Sequence, residues 1–289
     1  MYGQAAGPLR HLVCHCLLLE TDNSGLVLVD TGFGRRDIDH TRQRLSDFFL
    51  FLNRPRLEEE HTAIHQIESL GFKAADVRHI VLTHLDFDHA GGIEDFPHAE
   101  VHVLDRELRA ANHRRGFVAR NRYRPAQWDD NVRWQEYSAD GERWMDFDCV
   151  RELRGLPPEI LMVPLLGHTA GHCGIALQTN EGWMLHAGDA YFHRWEIDPG
   201  RPRCPPGLRG YQRLMEVDRA ARLHNQLRLR ELVAEQGSTV DIFCAHDAAE
   251  LQARAQASND PPAGDRHDRP LERRRSGAPQ AAQASPRYR

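Results

Sequence analysis

Ile80-Val81-Leu82 runs directly into Thr83-His84-Leu85-Asp86-Phe87-Asp88-His89-Ala90-Gly91-Gly92. No other junction restricts the possible folds of this chain as strongly. The apolar triplet has the character of a buried strand. The segment after it cannot continue that strand, because two His and two Asp fall within six positions and a glycine pair follows. Buried polar side chains need partners, so the segment belongs at a strand end, where other polar groups can converge on it. All four side chains are metal-ligand types, and one loop carrying four of them can serve two ions side by side.

The remaining donors should also follow strands. Ile160–Leu165 reads as a strand and leads to His168 in Leu166-Gly-His-Thr-Ala-Gly-His172. Trp183–Ala187 leads to Asp189, and Val240–Ala245 leads to His246. Four His and three Asp then stand beside turns or strand termini, a set of neutral imidazoles and carboxylates that suits zinc, iron or manganese. Further strands are expected at Leu26–Asp30, Val101–Val103 and Cys173–Thr179, and helices at 57–70, from Asp105 to about His113, and at 211–236. Alternating strands and helices imply a layered α/β protein. Residues 114–158 give no clear period.

Length allows one large domain, which would bury roughly 70–75% of its unfolded surface. The net charge is −5, but residues 252–289 carry eight Arg against four acidic residues, which leaves the remainder at −9. An acidic body gives no electrostatic reason to bind nucleic acid. No apolar run reaches the ~20 residues of a membrane span, and no secretory signal is visible, so a cytoplasmic protein with reduced thiols is expected. The stretch from Gln252 has Leu271 as its one large aliphatic residue. It is expected to be a disordered tail behind a domain at residues 1–251.

Taken together, these motifs resemble those of the metallo-β-lactamase superfamily. They run in order from about residue 11 to 250 and cover the His-x-His-x-Asp-His signature, the Gly-His-Thr-x-Gly-His segment, an Asp after Gly, and a late His. The resemblance implies an αββα sandwich with a dinuclear site along one edge of its sheets. By position, His84, Asp86 and His168 would hold one metal, Asp88, His89 and His246 the other, and Asp189 would bridge them. Asp30, in the first turn, would support a ligand imidazole. The implied cofactors are two divalent ions, zinc ahead of iron or manganese. Asp86 departs from the signature, which has His there. A carboxylate makes the first site harder and moves it toward iron or manganese.

The lactonase-like group is the nearest match. It implies hydrolysis of a lactone or carboxylic ester by a metal-bridging hydroxide, with Asp88 as proton shuttle and Tyr191 as carbonyl partner. Some lactonases carry their Tyr one position later, where this chain has Phe192. The alternatives are a glyoxalase-II-like thioesterase, a phosphodiesterase, and a diiron redox or metal-binding protein without hydrolysis. The expected partner is a small-molecule ester, without nucleic acid or membrane, in a chain that could form a homodimer.

Other residues carry blander readings. Cys14 and Cys16 alternate along a strand and are expected to pack as small apolar side chains. His79, His102 and His186 lie within strands as satisfied imidazoles, and His172 has a supporting place beside His168. His193 could face the cleft. The aromatic stretch 114–145 is either a lid or the packing of a cover helix, and Phe48–Leu52 either lines an apolar pocket or forms a dimer contact.

Overall fold

The computed structural model describes residues 12–128, 131–259 and 281–282. Two six-stranded sheets face each other. The first contains β1 (Leu17–Thr21), β2 (Gly25–Val29), β3 (Val77–Val81), β4 (Glu100–Leu104) and β5 (Arg133–Tyr137) in that order, with Ala281–Ala282 paired outside β1. The second runs β6 (Glu142–Trp144), β7 (Phe147–Glu152), β8 (Ile160–Pro164), β9 (Cys173–Thr179), β10 (Gly182–His186) and β11 (Val240–Phe243). Strands β2 to β5 are mutually parallel, and β10 pairs parallel with β11. Parallel neighbours end on the same side, so their following loops gather at one edge.

Side-chain alternation makes the layers. Leu17, Leu19, Val27, Val29 and Val81 meet Ile160, Met162, Ile175 and Phe243 in a core between the sheets. The alternate residues Leu18, Leu28, Ile80, Val101 and Val103 face outward, where Ile64 and Ile67 of one helix and Leu108 and Ala111 of another cover them. Val163, Ala176, Leu185, Val240 and Ile242 face the other way, under Leu229 and Leu232. The order of layers is αββα, as the resemblance implied.

The helices are α1 (Arg35–Asp39), α2 (Thr41–Arg44), α3 (Asp47–Asn53), α4 (Ala63–Ser69), α5 (Asp105–His113), α6 (Phe117–Arg122), α7 (Pro206–Met215), α8 (Arg219–Gln236) and α9 (Ala248–Asn259). Three differ from expectation. The helix expected from residue 57 starts at Ala63, because the Thr62 hydroxyl accepts from His65 N–H as its cap. The helix expected over 211–236 is two helices, α7 and α8. Asp218 caps α8 by accepting from Ala221 N–H, and the N–H groups of Val217 and Asp218 turn to the Gly167 carbonyl. The tail expected from Gln252 instead begins helical, since α9 carries the chain to Asn259 with Leu251 buried. Most of the remaining tail lies outside the described residues. Among the described residues no helix is long and apolar enough to cross a membrane.

Candidate metal centre

Every expected donor comes from the loop after a strand: β3 leads to His84–His89, β8 to His168, β10 to Asp189 and β11 to His246. The fold therefore brings together side chains up to 162 positions apart, from His84 to His246. Donor atoms of His84, Asp86, His168 and Asp189 lie within 4.8 Å of one another, and so do those of His89, Asp189 and His246. Asp189 is common to both groups. Its Oδ2 faces His168 Nε2 at 3.3 Å and His84 Nε2 at 3.8 Å, while Oδ1 faces His246 Nε2 at 3.0 Å and His89 Nε2 at 3.3 Å. Asp86 Oδ2 completes the first group, 3.1 Å from His168 Nε2 and 3.5 Å from His84 Nε2. Asp88 stands at the rim of the second, 3.8 Å from His246 Nε2 and 4.0 Å from His89 Nε2.

Three of the four imidazoles are aimed from behind, whereas His168 Nδ1 is buried without a hydrogen-bond partner. Asp30 sits at φ 52, a left-handed conformation Asp tolerates better than most residues, and it accepts from Thr83 N–H and Thr83 Oγ1–H, each at 2.8 Å. His89 Nδ1–H donates to the same carboxylate at 2.8 Å. His84 Nδ1–H donates to Thr83 Oγ1 at 2.9 Å, and His246 Nδ1–H to the Val13 carbonyl at 2.6 Å. With these outer nitrogens committed, each Nε2 is left as the acceptor that points inward. His84 Nε2, His89 Nε2 and Asp189 Oδ1 are buried without a hydrogen-bond partner. Buried polar atoms rarely stay unsatisfied; unpartnered donors converging in two groups are what a pair of divalent ions would satisfy.

Burial works to raise Asp189, but His246, His89 and His168 outweigh it and hold the carboxyl well below the usual range. Burial likewise opposes ionisation of Asp86, yet Arg122 and His84 hold it well below the usual range. Burial pushes Asp88 up; His89 and His246 pull against it, and Asp189 and Asp86 add to the rise. His168 falls to about 4 through burial, with Arg122 adding to the fall against the pull of Asp189 and Asp86, so its imidazole is neutral and fit to ligate.

Two charged residues escaped the sequence reading. Glu107, on α5, is fully buried and accepts from Leu85 N–H at 3.0 Å and Gly171 N–H at 2.9 Å, tying the His84 loop to the His168 loop. Arg122, at the end of α6, is equally buried. Its Nε lies 3.0 Å from Asp86 Oδ1, as an ion pair, and its Nη1 donates to the His168 carbonyl at 3.0 Å. No period or motif announces either residue. The available signal was their position in the amphipathic or aromatic segments that had to cover the site.

Tyr191 requires a correction. Its hydroxyl points away from the donors and donates to Glu250 at 3.1 Å, within the core under α8. Phe192 is the neighbour that faces the centre, stacked on His246 with ring centroids 4.8 Å apart. Tyr211 of α7 packs on Phe192, accepts from Asn53 Nδ2–H at 3.3 Å, and has its hydroxyl pushed up by burial and by the nearby Asp88 carboxylate. The cysteines also divide. Cys16 is in the core, but Cys14 Sγ lies 3.9 Å from Asp88 Oδ2 and joins Asp88 and His246 in a donor group of its own.

His172, His186 and His193 make structural hydrogen bonds. His172 Nδ1–H donates to the Leu165 carbonyl and its Nε2 accepts from Asp189 N–H, both at 2.8 Å, so it sets the bridging loop. His186 Nε2–H donates to the His15 carbonyl at 2.7 Å. His193 accepts from Trp195 N–H at 3.2 Å. Phe49 is buried on Phe87, which makes the Phe48–Leu52 cluster partly core, while Phe48 meets Phe117 of α6 at 5.0 Å above it.

Comparison with known proteins agrees with this fold. Residues 9–232 match the family described as Metallo-beta-lactamase superfamily. A Mycobacterium tuberculosis protein named probable metallo-hydrolase is 44% identical over 237 residues, spanning 82% of this chain and 75% of that one. An N-acyl homoserine lactonase of Bacillus cereus is 25% identical over 242 residues, or 83% of this chain and 84% of that protein. Among solved structures, an N-acyl homoserine lactone hydrolase with N-hexanoyl-L-homoserine at its metal centre has a TM-score of 0.64 at 24% identity, over 86% of this chain and 88% of that chain. The chain belongs to the metallo-β-lactamase superfamily.

Proposed function

We propose that this metal-dependent hydrolase cleaves carboxylic esters, with lactones the favoured class. The observation that carries the reading is the shared carboxylate. Asp189 faces both donor groups, with Oδ2 toward His84 and His168, Oδ1 toward His89, and His246 within 3.1 Å of either oxygen, so the ions would sit side by side. The lactonase relatives support the choice of lactones among the esters. When bound, two adjoining divalent ions acidify water and polarise a carbonyl. The His/Asp set accepts zinc first and also iron or manganese.

The chain's own side chains supply the rest. Asp88, raised by burial and only partly exposed at the rim, is placed to hold a proton beside the leaving alkoxide. Tyr211, kept protonated by burial, takes the donor role that Tyr191 cannot fill. Phe192, packed on His168 and His246, helps exclude water from the donors. Next to the second group lies a small cleft whose lining is mixed, with Cys14, Phe33, Ile38 and Leu57 beside Arg56, Glu58, His61 and Gln66.

The test is a panel of lactones, thioesters and phosphodiesters with metal-analysed protein. Lactone hydrolysis that is lost on chelation and restored by zinc is expected, with thioesters slower. Turnover of thioesters alone would move the assignment to a thioesterase. Lactone hydrolysis surviving His89→Ala would remove the dinuclear reading.

A further inference from the structure

A guanidinium beside a metal centre is an odd neighbour, because it repels the cation the centre is built to hold. Arg122 is 1% exposed, and its polar contacts turn toward the first donor group. Nε stands 3.0 Å from Asp86 Oδ1, Nη1 donates to the His168 carbonyl at 3.0 Å, and Nη2 lies 3.3 Å from His168 Nε2. Asp86 therefore uses its two oxygens differently. Oδ1 meets the guanidinium, and Oδ2 is turned to His84 and His168. Burying either charge alone would be costly, so each accounts for the other. Among the described residues the second donor group has no counterpart: Asp88 is approached there by His89, His246 and Cys14, without an arginine.

We infer that Asp86 and Arg122 act as one ligand unit, a carboxylate whose charge a guanidinium cancels, and that this unit sets the affinity and hardness of the first metal site. The unit as a whole is neutral, like an imidazole, although its donor atom is an oxygen. The hardness expected from Asp86 alone is thereby offset. The first group keeps only the shared Asp189 charge, whereas the second has Asp88 and Asp189. An ion at the first group must also displace the Arg122 N–H from His168 Nε2. The second site fills first, and the first site is the weaker. Arg122 is a positioning residue in this scheme, acting on metal through Asp86 and His168.

The inference rests on the reading of the chain as a divalent-metal protein, and zinc binding to the metal-stripped full chain, measured by calorimetry, tests the two separately. In the wild-type protein two binding events are expected. Asp86→His leaves an uncancelled cation beside a neutral ring, and should weaken one event by at least roughly tenfold while leaving the other alone. Arg122→Gln should strengthen that same event and tilt it toward manganese. Asp86→His with Arg122→Gln should return it close to the wild-type value. If Arg122→Gln does not fold, the comparison of Asp86→His with the double variant decides alone. Zinc binding as tight in Asp86→His as in wild type, or a double variant weaker than Asp86→His, overturns the inference and leaves the metal reading intact. A wild-type chain that takes up no zinc, manganese or iron overturns both.

Discussion

Two buried histidine clusters lie at the inner face of the first sheet, and they are bonded in opposite ways. At the C-terminal ends of the strands stand the donors described above, with His84 Nε2 and His89 Nε2 lacking hydrogen-bond partners. Nearer the starts of β3 and β4, His79, Glu100 and His102 also bring donor atoms within 4.8 Å of one another. Here the groups satisfy themselves. Arg154 N–H donates to the Tyr137 hydroxyl at 2.9 Å, that hydroxyl donates to His102 Nδ1 at 2.8 Å, and His102 Nε2–H donates to His79 Nδ1 at 3.0 Å. Proximity of His and Glu thus separates nothing. At His84 and His89 the outer nitrogen is tied down and the inner one left bare, as ligands require, whereas the nitrogens of His102 are both spent within the relay.

The sharpest way to break this contrast is at its shared atom pair. Asp189→Ala should remove both donor groups, cutting kcat/KM by roughly 10³-fold or more and reducing bound metal, as read by elemental analysis. Activity within tenfold of wild type would show that the groups are not coupled through Asp189. The same loss of metal after His102→Phe would erase the distinction between the clusters; retention of both ions is expected.

His102 should instead report through acid. Burial, with His79 and Arg154, lowers it to about 3, against about 6.5 for a free imidazole. The folded state then binds fewer protons than the unfolded chain between those values. The stability linked to the neutral ring is present above about 6.5 and lost as pH falls toward 3, amounting to on the order of 3 kcal/mol by pH 4. Urea unfolding at pH 7 and pH 4, compared with His102→Phe, measures it. An unchanged pH slope in the variant would mean that other groups carry the acid sensitivity.

The smallest effect concerns Tyr191. Tyr191→Phe should cost about 1 kcal/mol of stability through the lost bond to Glu250 and leave lactone turnover within twofold of wild type, as expected for a change away from the chemistry. Tyr211→Phe should reduce kcat while thermal unfolding stays near wild type. The reverse pattern would restore Tyr191 to the centre.

The contrast also marks what can be read from sequence. Ligands at strand ends were legible because apolar runs stop abruptly at His84, His168, Asp189 and His246. The layers were legible because residues such as Val27 and Leu28 alternate between two cores. Tyr191 misled because two residues past a turn the chain direction is no longer set by any period, and Phe192 took the inward face. The break between α7 and α8 was hidden because Leu214, Val217 and Leu223 continue an apolar pattern, although they are exposed. Only the docking of residues 217–218 on Gly167 explains it. At φ +130, that glycine approaches the Arg222 backbone so closely that a Cβ would stand 2.3 Å from its nitrogen. Arg122 and Glu107 were illegible because a buried charge is defined by its partner, and neither partner is near in sequence.

Glu107 bears on any attempt to transplant this centre. A designer copying the seven donors and their loops onto another scaffold would leave α5 behind. Without it, Leu85 N–H and Gly171 N–H would lose their common acceptor, and the two halves of the ligand set would have no fixed spacing. The smallest portable version of the centre therefore includes one helix that contributes no ligand.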